Sequence, residues 1–329
     1  MLRKICVFSS VLFLLALHAL AQESRHFTFH YTFTVKNLPA GKKVRVWIPA
    51  AQSDAFQEVK IVSATGDLPL KKTRESKYGN EIFYAEAKGS TQPELHFDVE
   101  YDVVRHERVA LGAGAAQVKT VSLAGREKRE DLQADALVPV TGLPADLAAK
   151  VTQGKTQPLD QARAIYDYVF TTMRYDKTGT GWGHGDVLYA CDAKKGNCTD
   201  FHSLFIAMAR AEGIPARFEI GFPLPPDKHS AEIAGYHCWS DFYVDGKGWI
   251  PVDISEAWKH PEKRDYFFGS HDANRVQFSM GRDLRLNPAQ EGKALNYFVY
   301  PYVEVDGQEY GNVSLAFSFA DVGSAMAER

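Results

Sequence analysis

Gly196-Asn197-Cys198-Thr199-Asp200-Phe201-His202 opens the run whose reading decides the fold. Behind it, Phe201, Leu204, Phe205, Met208 and Ala209 recur at helical spacing, and Gly213 stands where a helix end favours glycine. The spacing predicts an amphipathic helix over 198–212 with a cysteine in its first turn. Unpaired N–H groups and the helix dipole favour a thiolate there. Segments 214–222, 236–244 and 249–254 then read as strands. The last two are joined through Asp245-Gly246-Lys247-Gly248, a hairpin signal. One of them carries His237 and the other Asp253. A thiol nucleophile needs a lowered pKa, a base, and a group that orients the base. Cys198, His237 and Asp253 are the candidates for those three roles.

The hairpin imposes a condition on that assignment. Side chains alternate faces along a strand, and paired residues in an antiparallel ladder have a constant index sum. His237 and Asp253 share a face only if the sum is even. A two- or four-residue loop separates them. A three-residue loop, Asp245 to Lys247, with Gly248 in a left-handed bulge, brings them to one face, diagonally placed; the triad assignment requires that bulge or another irregularity near Pro251.

Upstream, residues 25 to about 108 read as β structure. Phe27, Phe29, Tyr31 and Phe33 share one parity within 26–35, the mark of a half-buried strand. Segments 43–49, 59–63, 81–87 and 94–104 follow, separated by Gly, Pro, Asp and Asn clusters, which suggests a β-sandwich. The small-residue stretch Leu111 to Ala116 reads as a linker. Helical periodicity starts after Gly142, over 144–151 and 158–173. The glycine-rich run Thr178 to Gly185 lacks the ending of a phosphate-binding loop and reads as a mobile cleft wall. Two last strands are expected over 296–305 and 312–319. The division expected is therefore 1–21 leader, 22–135 β-sandwich, and 136–329 helix-containing domain, an α+β chain overall.

Arg3 and Lys4, the apolar run from Val7 to Leu20, and Ala19-Leu20-Ala21 form a signal-peptide pattern with cleavage near Ala21. The competing reading is an N-terminal membrane anchor. The pattern implies a secreted or periplasmic protein with no membrane attachment after cleavage. A net charge of -3 among 24% charged residues gives no basic surplus for nucleic acid. Removing the leader leaves Cys191, Cys198 and Cys238. An odd count implies at least one free thiol, and Cys191 with Cys238 is then the candidate disulfide; two buried reduced cysteines is the alternative. Zinc on these cysteines and His237 is not expected, because the spacings are not of the C-x2-C kind.

The motifs Gly196-Asn197-Cys198, Gly213-Ile214-Pro215-Ala216-Arg217, His237-Cys238-Trp239 and Gly248-Trp249-Ile250-Pro251-Val252-Asp253 resemble, in order and spacing, the transglutaminase-like superfamily, which belongs to the papain-like cysteine fold. The match spans about 160 to 255, and the preceding β domain is similar to that of bacterial exported members. The resemblance implies Cys198 as nucleophile, His237 as base and acid, Asp253 as orienting carboxylate, and a peptide or protein amide as substrate. It leaves amide hydrolysis, acyl transfer, a peptidase acting on cell-wall peptides, and a non-catalytic binding or scaffold module with a relic triad open. No cofactor is expected, since no D-x-D-x-D-G calcium loop is present. Trp182, Asn197, His202 and Trp239 are candidate cleft or supporting residues, with His202 a possible second base. The oligomeric state is not legible.

Overall fold

The computed structural model describes residues 23–112, 123 and 125–323. The expected leader, 1–21, and most of the small-residue linker lie outside them. Among the described residues no helix is long and apolar enough to cross a membrane.

The β part is built from two five-stranded antiparallel sheets. In one, Ser230–Glu232, Val313–Asp321, Ser24–Val35, Leu95–His106 and Gln57–Gly66 lie side by side. In the other the order is Gln308–Glu309, Tyr302–Val305, Lys42–Ala50, Glu81–Ser90 and Lys71–Arg74. The alternation read from the sequence is the burial pattern observed. Phe27, Phe29, Tyr31, Phe33 and Val35 are inward, and the residues between them face outward. The linear division needs correction in one respect. Strands Tyr302–Val305 and Val313–Asp321 pair with Lys42–Ala50 and Ser24–Val35, so the end of the chain completes the N-terminal sheets. Only the first part of the strand expected over 296–305 is absent.

A four-stranded sheet forms the heart of the second part, in the order Gly248–Val252, His237–Val244, Ala216–Pro223 and Arg275–Met280. The helix Cys198–Ala211 packs on it. Phe29 meets Phe222 at 5.2 Å and Tyr31 meets Phe278 at 5.5 Å between ring centroids. These contacts carry one continuous hydrophobic core from the N-terminal sheet into the helix-bearing part. Burying each such ring stabilises by about 2–3 kcal/mol.

The helix departs from the amphipathic expectation, for its whole length from Cys198 to Arg210 is buried. Its polar residues remain inside because each finds a partner. Arg210 donates to Asp135 Oδ2 at 2.8 Å and to the carbonyls of Ala216 and Gln133. Ser203 accepts from Arg282. Segments around Asp131–Asp135 and Gly183–Gly185 thus cover the face that the sequence pattern assigns to solvent. Removing one member of such a buried pair strands the other without water. Arg210→Ala should therefore lower the unfolding free energy by about 3–5 kcal/mol, read from the urea midpoint at constant m.

Candidate active site

Asn197 caps the Cys198 helix. Its Oδ1 accepts from the Thr199 N–H at 2.9 Å, and the Asp200 carboxylate accepts from the Asn197 N–H at 2.9 Å. This is a capping box, closed by the sequence Asn-x-x-Asp. Asp200 does more than the dipole role its position suggests. It also accepts from the N–H groups of Gly183 at 2.7 Å and Gly185 at 3.0 Å. The glycine-rich loop is therefore tied to the first turn of the helix, which corrects its reading as a free wall. A Cβ on Gly196 would overlap the Asp200 carboxylate, so this approach needs glycine.

The hairpin meets the parity condition. Val244 pairs with Gly248 and Ser240 with Val252, an even register with Asp245–Lys247 as a three-residue connection. Gly248 has φ 82°, the left-handed bulge position. The second strand stops at Val252, short of the expected Ile254. Asp253 instead caps the helix Ile254–Lys259, accepting from the Glu256 N–H at 3.1 Å. That turn, absent from the strand expectation, swings Asp253 toward His237. His237 Nε2 donates to Asp253 Oδ2 at 2.7 Å, both groups being buried. With Nε2 so engaged, Nδ1 is the ring nitrogen left for Cys198, which lies within hydrogen-bonding reach of the imidazole.

The electrostatics follow from these contacts. Burial opposes a Cys198 thiolate, but hydrogen bonds from Cys238 and His237 and the imidazolium charge outweigh it, holding the thiol well below the ordinary range. Burial also disfavours a charged His237. Asp253 and Cys198 reverse that and push the imidazole up to about 10. Asp253 is desolvated too, yet His237 and Arg275 keep it well below the usual carboxylate range. The arrangement is a thiolate–imidazolium pair with an ionised carboxylate behind it.

The other expected site residues divide. His202 is fully buried, and its Nε2 accepts from the Ile254 N–H at 3.1 Å. Burial drives its pKa down to about 4, so it stands neutral and braces the Asp253 turn. Trp239 is also fully buried, behind His237 at 5.9 Å between rings, with its N–H on Glu219 at 2.7 Å. It backs the site and does not wall a cleft. Trp182 is half-buried and donates to Gly179 O within its own loop. The expected Cys191–Cys238 bond is not formed, since all three cysteines are free. Cys238 points at the Cys198 helix, its sulfur 3.7 Å from Thr199 Oγ1 and 3.8 Å from His202 Nδ1. A side chain packed there is committed to the helix–sheet interface.

Residues not singled out from the sequence complete the surroundings. Tyr236 bonds to both Asn197 Nδ2 at 3.1 Å and Thr199 Oγ1 at 2.9 Å, and stacks near Tyr297 and Tyr300. Tyr175 lies against Phe201, Trp258 and the Lys259 ammonium. Position next to His237 was the available signal for Tyr236. Nothing local marks Tyr175, Tyr297 or Arg275. Cys198 is only 2% exposed. A surface groove of 520 Å³ lies elsewhere, between Thr32, His96 and Asp98 on the outer face of the N-terminal sheet.

Residues 145–254, which contain Cys198, His237 and Asp253, match the family model of the transglutaminase-like superfamily. The chain carries a transglutaminase-like domain. A Haemophilus influenzae protein given as uncharacterized is 29% identical, with 85% of each chain covered. The uncharacterized protein YebA of Bacillus subtilis is 25% identical over 129 residues, 35% of this chain and 18% of that one. Among solved structures, that of a candidate cysteine protease from Cytophaga hutchinsonii is similar in fold. It has a TM-score of 0.60 over 91% of both chains at 17% identity.

The two thiols shifted in opposite directions give a test of the electrostatics. Burial pushes the Cys191 thiol up to about 11, so its thiolate fraction at pH 6 is about 10⁻⁵. Cys198, shifted the other way, holds a far larger thiolate fraction at the same pH. Iodoacetamide at pH 6 should label Cys198 and leave Cys191 unmodified, as read by peptide mass mapping. Asp200→Ala should slow Cys198 labelling by freeing the loop and the helix cap.

Proposed function

We propose that this chain is an exported thiol enzyme acting on peptide or protein amides. The observation that carries the reading is the chain of contacts from Asp253 through His237 to Cys198. The Cys198 thiolate attacks the amide carbonyl carbon, and the C–N bond breaks as His237 delivers its proton to the departing amine. The acyl group stays on sulfur as a thioester. Water or a second amine, deprotonated by His237, then attacks the thioester and releases the thiol. Asp253 holds the imidazole in the tautomer and orientation both steps need. The Cys198 N–H sits in the first helical turn, where such groups lack helical acceptors and suit a developing oxyanion. The signal-peptide pattern at 1–21 supports export, and a free thiol retained in an oxidising compartment fits a working cysteine.

The 2% exposure of Cys198 favours a second reading, a binding module with a relic triad. The two readings differ in one measurement. Purified mature protein is screened on amide substrates with and without added amine. Amide cleavage that falls at least about 10³-fold in both Cys198→Ala and His237→Ala supports the enzyme; incorporation of the amine marks a transferase, and release without incorporation a hydrolase. Asp253→Asn should lose about 10²- to 10⁴-fold. Preferential alkylation of Cys191 or Cys238 over Cys198 at neutral pH rejects the enzyme reading.

A further inference from the structure

Asp253 Oδ2 is shared by two donors. His237 Nε2 approaches it at 2.7 Å and Arg275 Nη1 at 2.9 Å. Arg275 comes from the far edge strand Arg275–Met280, which the sequence does not connect to the motifs around Cys198. It is 2% exposed, and its guanidinium lies over the Trp239 ring at 4.9 Å. The remaining hydrogen bonds of the carboxylate come from its own helix. Oδ1 accepts from Ser255 Oγ at 3.2 Å and the Glu256 N–H at 3.1 Å. Among the described residues, Arg275 is thus the one arginine or lysine bonded directly to Asp253.

We propose that Arg275 is a positioning residue for the thiol chemistry, fixing the Asp253 carboxylate and offsetting its charge so that His237 can release its proton to the departing amine. The inference rests on the Cys198–His237–Asp253 reading above. An acid that must protonate a leaving group has to be able to part with its proton. A buried carboxylate bonded to an imidazolium works against that by stabilising the charged ring. A guanidinium on the same oxygen weakens the carboxylate's hold without removing its directing bond. The stack on Trp239, which itself backs His237, fixes where the guanidinium sits.

Other charges reach the same place. Glu256 Oε1 lies 3.9 Å from His237 Nε2, and it also pairs with Lys259. His202 Nε2 is 3.7 Å from Asp253 Oδ1 and neutral. Asp272 faces Arg275 Nε at 3.5 Å, while His271 and Arg105 act on Arg275 from further off. Tyr166 faces Asp253 from the helix Pro158–Thr172. None of these places a positive charge on Oδ2, so none replaces Arg275.

The test is a histidine titration by NMR on wild type, Arg275→Gln and Arg275→Lys, with the His237 signal assigned by its loss in His237→Asn. Near pH 10 the wild-type ring is about half protonated. Loss of a cation within one shared oxygen of the ring should raise the midpoint by about one to two pH units, leaving Arg275→Gln protonated at pH 10. Arg275→Lys keeps the charge and should move the midpoint by less than a unit, well short of the shift in Arg275→Gln. A merely structural clamp predicts weaker folding with an unchanged midpoint, and that result in Arg275→Gln overturns the proposal. If Arg275→Gln does not fold, Arg275→Lys decides, and a midpoint displaced by a unit or more overturns it. Failure of the underlying reading shows separately, as a wild-type Cys198 that does not alkylate preferentially.

Discussion

The Asp253 carboxylate is the constraint on which the site depends. It caps the helix Ile254–Lys259, receives His237, and is met by Arg275, all through two oxygens with no water access. A buried carboxylate without partners costs several kcal/mol, so this one holds three elements in register or the local fold fails. Its place at the end of a strand matters as much as its charge. A continued strand would keep its side chain on the sheet face, whereas the helical turn directs it to the ring. His202 braces the same turn from the central helix, which ties the carboxylate to the element that carries Cys198.

The central helix shows how a polar pattern can be buried without penalty. Asp200, His202, Ser203 and Arg210 are each hydrogen-bonded to a segment laid over the helix. The polar face read from the sequence is real, but it serves as a docking surface for loops instead of a solvated side. Asp200 is the clearest case, because it joins the helix cap to the glycine-rich loop within one side chain. The same carboxylate that completes the capping box sets the distance between that loop and Cys198.

Legibility in the sequence followed the range of the interaction. The helix at Cys198, the strand bearing His237, the strand leading to Asp253, and the alternating first strand come from periodicity and local turn chemistry, and the structure has them within a few residues. The three-residue connection at Asp245–Lys247 is the one parity requires if His237 and Asp253 are to share a face. The helix Val187–Ala193 and the strand Arg275–Met280 were not anticipated, since each is short and its formation depends on packing. The Cys191–Cys238 pairing rested on counting thiols, and counting does not say where a side chain points. Cys238 faces the central helix, so its partners are Thr199, His202 and the thiol of Cys198.

By itself the sequence determined the order Cys, His, Asp, the capping residues that begin the helix, and the hairpin that joins the strand of His237 to the segment ending at Asp253. These are local, because spacing of 3.6 or 2 residues and turn residues act over a few positions. Tertiary structure alone decided that the C-terminal strands close the N-terminal sheets, that the polar helix face is covered, and that Arg275 reaches Asp253. Each of these joins residues far apart in the chain, through burial and charge pairing that no short window of sequence contains.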